Sequence, residues 1–231
     1  MKSMRMIVIV AATLAIPALM TGVSNAGPMA LVGGYTSVSF PTGDWGDVAG
    51  FGLGLENVGS IFPDSTRSLG IRQGSSLIYN FKRTVDVPSA NLDTNTSLRA
   101  ETANTSLWFG IGPEFRKHTG NARPFVYGTV GVAFNWIDSH LKGNVQGAGY
   151  DATVGQTSTT FAWTVGAGLS KAVSSVPGGR LALSVEYRSC VDMHYMLPGD
   201  VSSSGSSVSW DRTKQNADQI IARIGIVSGY Y

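Results

Sequence analysis

From about residue 29 to the last residue, apolar and polar positions alternate with a period of two, in segments rich in aromatic and β-branched residues. That spacing predicts strands with two unlike faces, and no helical period competes with it. Eight segments emerge, at about 29–40, 51–62, 68–83, 100–117, 123–138, 159–173, 180–195 and 217–231. In the fourth, Leu107, Phe109, Ile111 and Phe115 oppose Ser106, Gly110, Gly112, Glu114 and Arg116. In the sixth, Phe161, Trp163, Val165, Ala167 and Leu169 oppose Thr160, Ala162, Thr164, Gly166 and Gly168. The third and seventh divide in the same way, with Arg72, Ser76 and Asn80 on one polar face and Ser184, Glu186 and Arg188 on the other.

The connections alternate in length. Pro63 to Thr66, His118 to Ala122 and Ser174 to Gly179 are tight turns. Segments 41–50, 84–99, 139–158 and 196–216 are longer and rich in Ser, Thr, Gly and Asn. An up-and-down meander gathers all the short connections at one end and all the long ones at the other, as outer-membrane barrels do. Period two alone does not say which face turns inward. A soluble periplasmic ligand-binding barrel would bury the greasy face and wet the polar one. The small residues crowding the polar face favour the opposite arrangement, because eight strands enclose an interior only wide enough for side chains. The expected fold is therefore all-β: an eight-stranded antiparallel up-and-down transmembrane β-barrel. Aromatics toward segment ends suit interfacial girdles, and Phe125, Trp136, Phe161, Trp163 and Tyr230 are assigned to them. Along the fifth strand, Phe125 and Trp136 would span roughly 25 Å, the height of an apolar band.

Residues 1–26 read as a signal peptide: basic Lys2 and Arg5, an apolar run from Met6 to Met20 broken by Pro17, then Ser24-Asn25-Ala26 as a cleavage site. The barrel domain is expected at 27–231. Charged residues are 14% of the chain, well below the soluble norm. The net charge of +2 belongs to Lys2 and Arg5, so the remainder is neutral and is not expected to bind nucleic acid. Cys190 is the single cysteine, which excludes an internal disulfide, and its parity places it inward as an inert small side chain.

With the leader, glycine-interrupted strands such as Thr129-Val130-Gly131-Val132 and Trp163-Thr164-Val165-Gly166-Ala167-Gly168, and an aromatic C-terminus, the whole mature chain resembles the eight-stranded outer-membrane β-barrels. That class includes outer membrane protein A-like transmembrane domains and small opacity-type barrels. The resemblance implies an outer membrane of Gram-negative type as the location, and outer-membrane lipid and lipopolysaccharide as surroundings. It also implies recognition of the last strand by the barrel-assembly machinery, although Tyr231 falls on the register of Arg223 rather than that of Ile224 and Tyr230.

Seven charges fall on the inward face: Glu56, Arg72, Glu114, Arg116, Glu186, Arg188 and Arg223. Buried charges are costly unless paired, so Glu56–Arg72 and Glu186–Arg223 are expected as parts of a charged plug, structural or gating. His118, His140 and His194 are scattered. Ser139 beside His140, and His194 near Asp192, are the nearest approach to a nucleophile with a base, and no metal spacing occurs. No enzyme activity and no cofactor are expected. Trp45 in the first outer loop is expected at the lipid headgroups, and loop 196–216, with Trp210, as a mobile solvated segment. The expected role is structural support or surface interaction, with a ligand at the outer loops. The alternatives are a small-solute or hydrophobic-compound channel and the soluble binding barrel.

Overall fold

Alternating side chains and short connections fold this chain into a ring. The computed structural model describes residues 29–63, 68–173, 178–211 and 213–230, with Thr213 and Tyr230 described by their backbones alone. The expected signal peptide, Arg212 and Tyr231 lie outside these residues. The strands are β1 (Met29–Thr42), β2 (Gly52–Phe62), β3 (Leu69–Asp86), β4 (Ser97–Arg116), β5 (Ala122–Val145), β6 (Ala148–Ala172), β7 (Gly179–Tyr195), β8 (Val201–Ser204), β9 (Ser207–Trp210) and β10 (Thr213–Tyr230). Eight of them close a barrel in the order β1-β10-β7-β6-β5-β4-β3-β2, and β8 pairs only with β9. Every ladder is antiparallel. The seam is β1–β10, running from Ala30 opposite Tyr230 to Thr42 opposite Asp218.

The greasy face is outside. Leu53, Leu55, Ile71, Ile111, Phe115, Val130, Phe161, Val165, Leu183, Val185, Ile224 and Ile226 are all exposed, while Glu114, Arg188, Ser76 and Thr164 on the opposite parity are buried. An apolar surface this continuous around a closed sheet is stable in lipid and not in water. The wall also depends on close backbone approach. A Cβ on Gly131 would stand 1.8 Å from the carbonyl oxygen of Phe109 on β4, so only glycine lets β4 and β5 pair there.

Crossing the bilayer takes about 9–11 residues per strand, yet β4, β5 and β6 have 20, 24 and 25. On β5 the outward residues change from Val126, Val130, Val132 and Phe134 to Asp138, His140, Lys142 and Asn144, with Trp136 between. Beyond that level β3–β6 stand free as a four-stranded wall. The segment expected as a loop at 139–158 is therefore strand almost throughout. It turns only at Gln146-Gly147, both at positive φ (51° and 83°), between the paired Val145 and Ala148, the backbone of a type I′ hairpin.

The other long connections are also structured. A short helix, α1 (Gly43–Val48), follows β1, and the segment expected to be mobile at 196–216 forms the β8–β9 hairpin. That hairpin packs against the inner face of the wall, where Val201, Val208 and Trp210 join Val87, Leu92, Leu98, Leu141, Val145 and Tyr150. Asn91 Nδ2 donates to the carbonyl of Gly199 at 2.7 Å, and the Asp93 amide donates to Ser203 Oγ at 2.8 Å, tying two outer connections together.

Candidate functional site

Inside the barrel the charged residues fall in two linked groups. Toward the short-turn end, Glu114 is held by three donors. Arg72 Nη1 donates at 2.9 Å, Arg116 Nε at 2.6 Å and the Ser60 hydroxyl at 2.8 Å. At mid-height lie Glu56, Glu186, Arg188 and Arg223. Arg223 Nη1 donates to Glu56 Oε2 at 2.6 Å, and its Nη2 stands 3.0 Å from Glu186 Oε2. Arg188 donates to Glu186 Oε1 from Nε at 3.0 Å and from Nη2 at 2.8 Å, and lies 3.5 Å from Glu56 Oε1. Both groups are sealed from solvent, so each charge depends on its neighbours for the solvation that water would otherwise supply.

All seven charged residues expected inside are brought together here, one of the two expected pairs forming and the other not. Glu186 and Arg223 touch. Glu56 and Arg72 do not form an ion pair: the ladder sets Glu56 opposite Ser76 and Arg72 opposite Ser60, four residues apart and so about 13 Å along the strand. Arg72 turns to Glu114 on the other side, and Glu56 reaches past β1 to Arg223 on β10.

Aromatic rings roof the guanidinium groups. Arg72 lies 4.0 Å from the Tyr127 ring centroid, Arg116 4.1 Å from Phe125 and Arg188 4.4 Å from Trp108, distances at which a desolvated cation gains from the ring quadrupole. Phe125 is consequently an interior residue, not part of the outer girdle. It lies eleven positions from Trp136, and an odd spacing on a period-two strand sends the two rings to opposite faces. Trp136, Phe161 and Trp163 do face outward; Phe161 is exposed and Trp163 packs on Tyr187 with centroids 5.4 Å apart. Phe51, Tyr79 and Phe81 form a further outer aromatic cluster that the segment-end rule passed over. For Tyr230 only the backbone pairing with Ala30 is described. Tyr127, Tyr35 and Trp108 also escaped the sequence reading, although Tyr127 has the parity of Phe125 and faces Gly166, where a Cβ would stand 2.2 Å from its hydroxyl.

Above the charges the interior becomes apolar. Trp45 and Val48 of α1 pack with Trp108, Ile137, Cys190, Met193 and Tyr195, and the Trp45 and Tyr195 rings meet edge-on at 4.9 Å. Trp45 is 1% exposed, so it does not rest at the headgroups. The chain doubles back at Gly43 (φ 59°) and carries the ring into the barrel mouth. Cys190 sits in this layer, buried and reduced.

The histidines assemble no reactive group. Ser139 faces inward to Thr102 (3.2 Å), whereas His140 faces outward to Thr153 (2.9 Å). His118 stacks edge-on against Phe62 at 4.6 Å. Among the described residues no group of three or more His, Cys, Asp or Glu converges as a metal site would need.

An inverted apolar face, eight antiparallel strands in a closed ring, and short turns at one end with long connections at the other define an eight-stranded transmembrane β-barrel of the outer-membrane class. No family model matches the sequence, and no curated protein does. Solved structures do. A major outer membrane protein from Thermus thermophilus superposes with a TM-score of 0.51 at 14% identity, covering 87% of this chain and 99% of that one. OprG of Pseudomonas aeruginosa gives 0.46 at 12%, over 90% and 98%, and Ail, the attachment invasion locus protein of Yersinia pestis, 0.42 at 13%, over 88% and 99%. At these identities the likeness is one of fold.

Proposed function

We propose that this protein is a non-enzymatic outer-membrane protein that engages partners at the cell surface, its lumen occupied by a structural plug. The observation that carries this reading is the wall of β3–β6 and its unpaired edge. The β6–β7 ladder runs from Ala172 opposite Arg180 only as far as Ala162 opposite Cys190. Near Asp192, in the left-handed region (φ 54°), β7 leaves β6 and continues on β10 alone. From Ala148 to Gly155, β6 pairs with β5 on one side and with no described strand on the other. A long free edge is a template for a further strand. Alternation in the hairpin ladder turns the backbone groups of Gly149, Asp151, Thr153 and Gly155 toward that open side. A protein built only to fill lipid gains nothing from such a wall.

The two interior layers, ion pairs roofed by aromatics and then the Trp45–Tyr195 cluster, support a closed lumen over a channel. Outward Lys82, Arg99 and Lys142, beyond the level of Trp136 and paired with Glu101 and Asp86, suit contact with lipopolysaccharide phosphates. Export through cleavage near Ala26 and insertion by the assembly machinery through β10 complete the proposal. Panning a random extended-decapeptide library on the detergent-folded barrel tests it. The wild type is expected to enrich peptides that Asp151→Pro does not, because proline removes a donor on the open side while sparing the β5 ladder. Equal enrichment by both proteins would refute edge pairing.

A further inference from the structure

The interior network does not balance. Among the described residues Arg72, Arg116, Arg188 and Arg223 face Glu56, Glu114 and Glu186, four cations against three anions, none of the seven more than 4% exposed, while a further buried cation, Arg180, lies apart at the short-turn end on Ser170 and the Asn121 carbonyl. A second observation locates the excess. Arg72 Nη2, Arg223 Nη2 and the Tyr35 hydroxyl are buried and have no hydrogen-bond acceptor among the described residues, against one orphan acceptor of the same cluster, Glu56 Oε1, which lies 3.5 Å from Arg188. Arg223 Nη2 also stands 3.0 Å from Glu186 Oε2 in an ion pair, so its need is met in part there, whereas Arg72 Nη2 and the Tyr35 hydroxyl have no such neighbour among the described residues. The three side chains belong to one cluster of rings and guanidinium groups. Arg72 and Arg223 stand 4.0 Å and 5.3 Å from the centroid of the same ring, Tyr127, and Arg223 stands 5.9 Å from the Tyr35 ring. Buried donors without acceptors are destabilising, and water would satisfy them without neutralising the charge.

We infer that the middle of the barrel binds a small monovalent inorganic anion of halide size, held by Arg72, Arg223 and Tyr35. Such an ion accepts from all three donors at once and brings the seven-residue network to neutrality. A small ion is favoured because the packing around these rings is close: Tyr35 lies against Gly225, where a Cβ would stand 2.7 Å from its ring, and Tyr127 against Gly166. The site is internal, so the ion is taken up as the barrel closes or exchanges slowly through the short-turn mouth. It acts as a structural counter-ion rather than a transported solute.

Chloride is the probe, offered to the complete barrel folded in detergent, with gluconate at equal ionic strength as an anion too large to enter. Wild type refolded in ³⁶Cl-labelled chloride is expected to retain label through desalting into gluconate, and to melt about 5 °C higher in chloride than in gluconate once the ion is in roughly hundred-fold excess over its Kd. Tyr35→Phe removes an orphan donor and nothing else. It should be at least as stable as wild type in gluconate and bind chloride several-fold more weakly. Arg72→Met removes the surplus charge and should lose the chloride increment altogether; if it does not fold, Tyr35→Phe decides alone. Identical wild-type melting in both salts with no retained ³⁶Cl would overturn the inference and leave water as the occupant. A full chloride increment in Tyr35→Phe, or in folded Arg72→Met, would overturn it equally, by placing the ion elsewhere.

Discussion

Replacing Glu186 with glutamine keeps the shape of the side chain and removes one of three buried negative charges. Glu186 meets Arg188 Nη2 at 2.8 Å and Arg223 Nη2 at 3.0 Å, and accepts from the Tyr127 hydroxyl at 2.9 Å. After the change two arginines share Glu56 alone. Breaking a buried ion pair from one side costs about 3–5 kcal/mol, because the partner charge stays buried. Glutamine still accepts one or two of the hydrogen bonds, so the lower end, about 3 kcal/mol, is expected. For a barrel of this size that corresponds to a fall of roughly 6–12 °C in the melting midpoint. The assay is urea unfolding in detergent, followed by the mobility difference between boiled and unboiled samples, with the slope against urea unchanged. Adding Arg223→Met to Glu186→Gln should recover part of the loss. A destabilisation under about 1 kcal/mol, or no recovery in the double variant, would refute the picture of a dry, mutually solvated network.

Three further outcomes are expected. Gly131→Ala puts a methyl group 1.8 Å from the Phe109 carbonyl oxygen, so the β4–β5 ladder should not close and no heat-modifiable band should form on refolding. Trp45→Ala empties the apolar layer at the barrel mouth; cleavage by an aspartate-directed protease at Asp44 and Asp47 should accelerate at least tenfold while the unboiled band is retained, and an unchanged rate would mean that Trp45 does not anchor α1. Glu101, on the wall outside the lipid, has its carboxyl held below the ordinary range chiefly by the hydrogen bond from Lys82 and then by Lys142. A lowered folded-state pKa stabilises the fold above the unfolded value of about 4.5 and loses that contribution as pH falls through the folded value. Wild type should therefore lose slightly more stability than Glu101→Gln on acidification below pH 4.5, by under about 1 kcal/mol for a surface cluster; parallel pH curves would count against the pairing.

Much of the architecture was legible because it depends on period and spacing alone. Alternation at Leu107–Phe115 and Phe161–Leu169 marks two-faced strands whatever they pack against. Alternating connection lengths mark a meander with unlike ends, and the inward set of Glu56, Arg72, Glu114, Arg116, Glu186, Arg188 and Arg223 follows from parity within each strand. The same rule, applied along β5, already forbids Phe125 and Trp136 from sharing a face. The loop limits were harder to read. Residues 139–158 are polar because that stretch of wall stands outside the lipid, and polarity there mimics a loop.

Parity within one strand says nothing about height relative to the next, and that is where the tertiary structure takes over. Only the closed register decides that Arg72 meets Glu114 instead of Glu56, that Arg223 reaches past β1 to Glu56 once the seam has closed, and that Tyr35 and Tyr127 flank the surplus charge. Only the space left above the charged layer decides that Trp45 turns in from its loop to fill it. Period and connection length are properties of local sequence, and so the strands, their faces and the meander are determined by the chain alone. Partners across a barrel depend on stagger, which is summed over eight ladders and set when β10 meets β1.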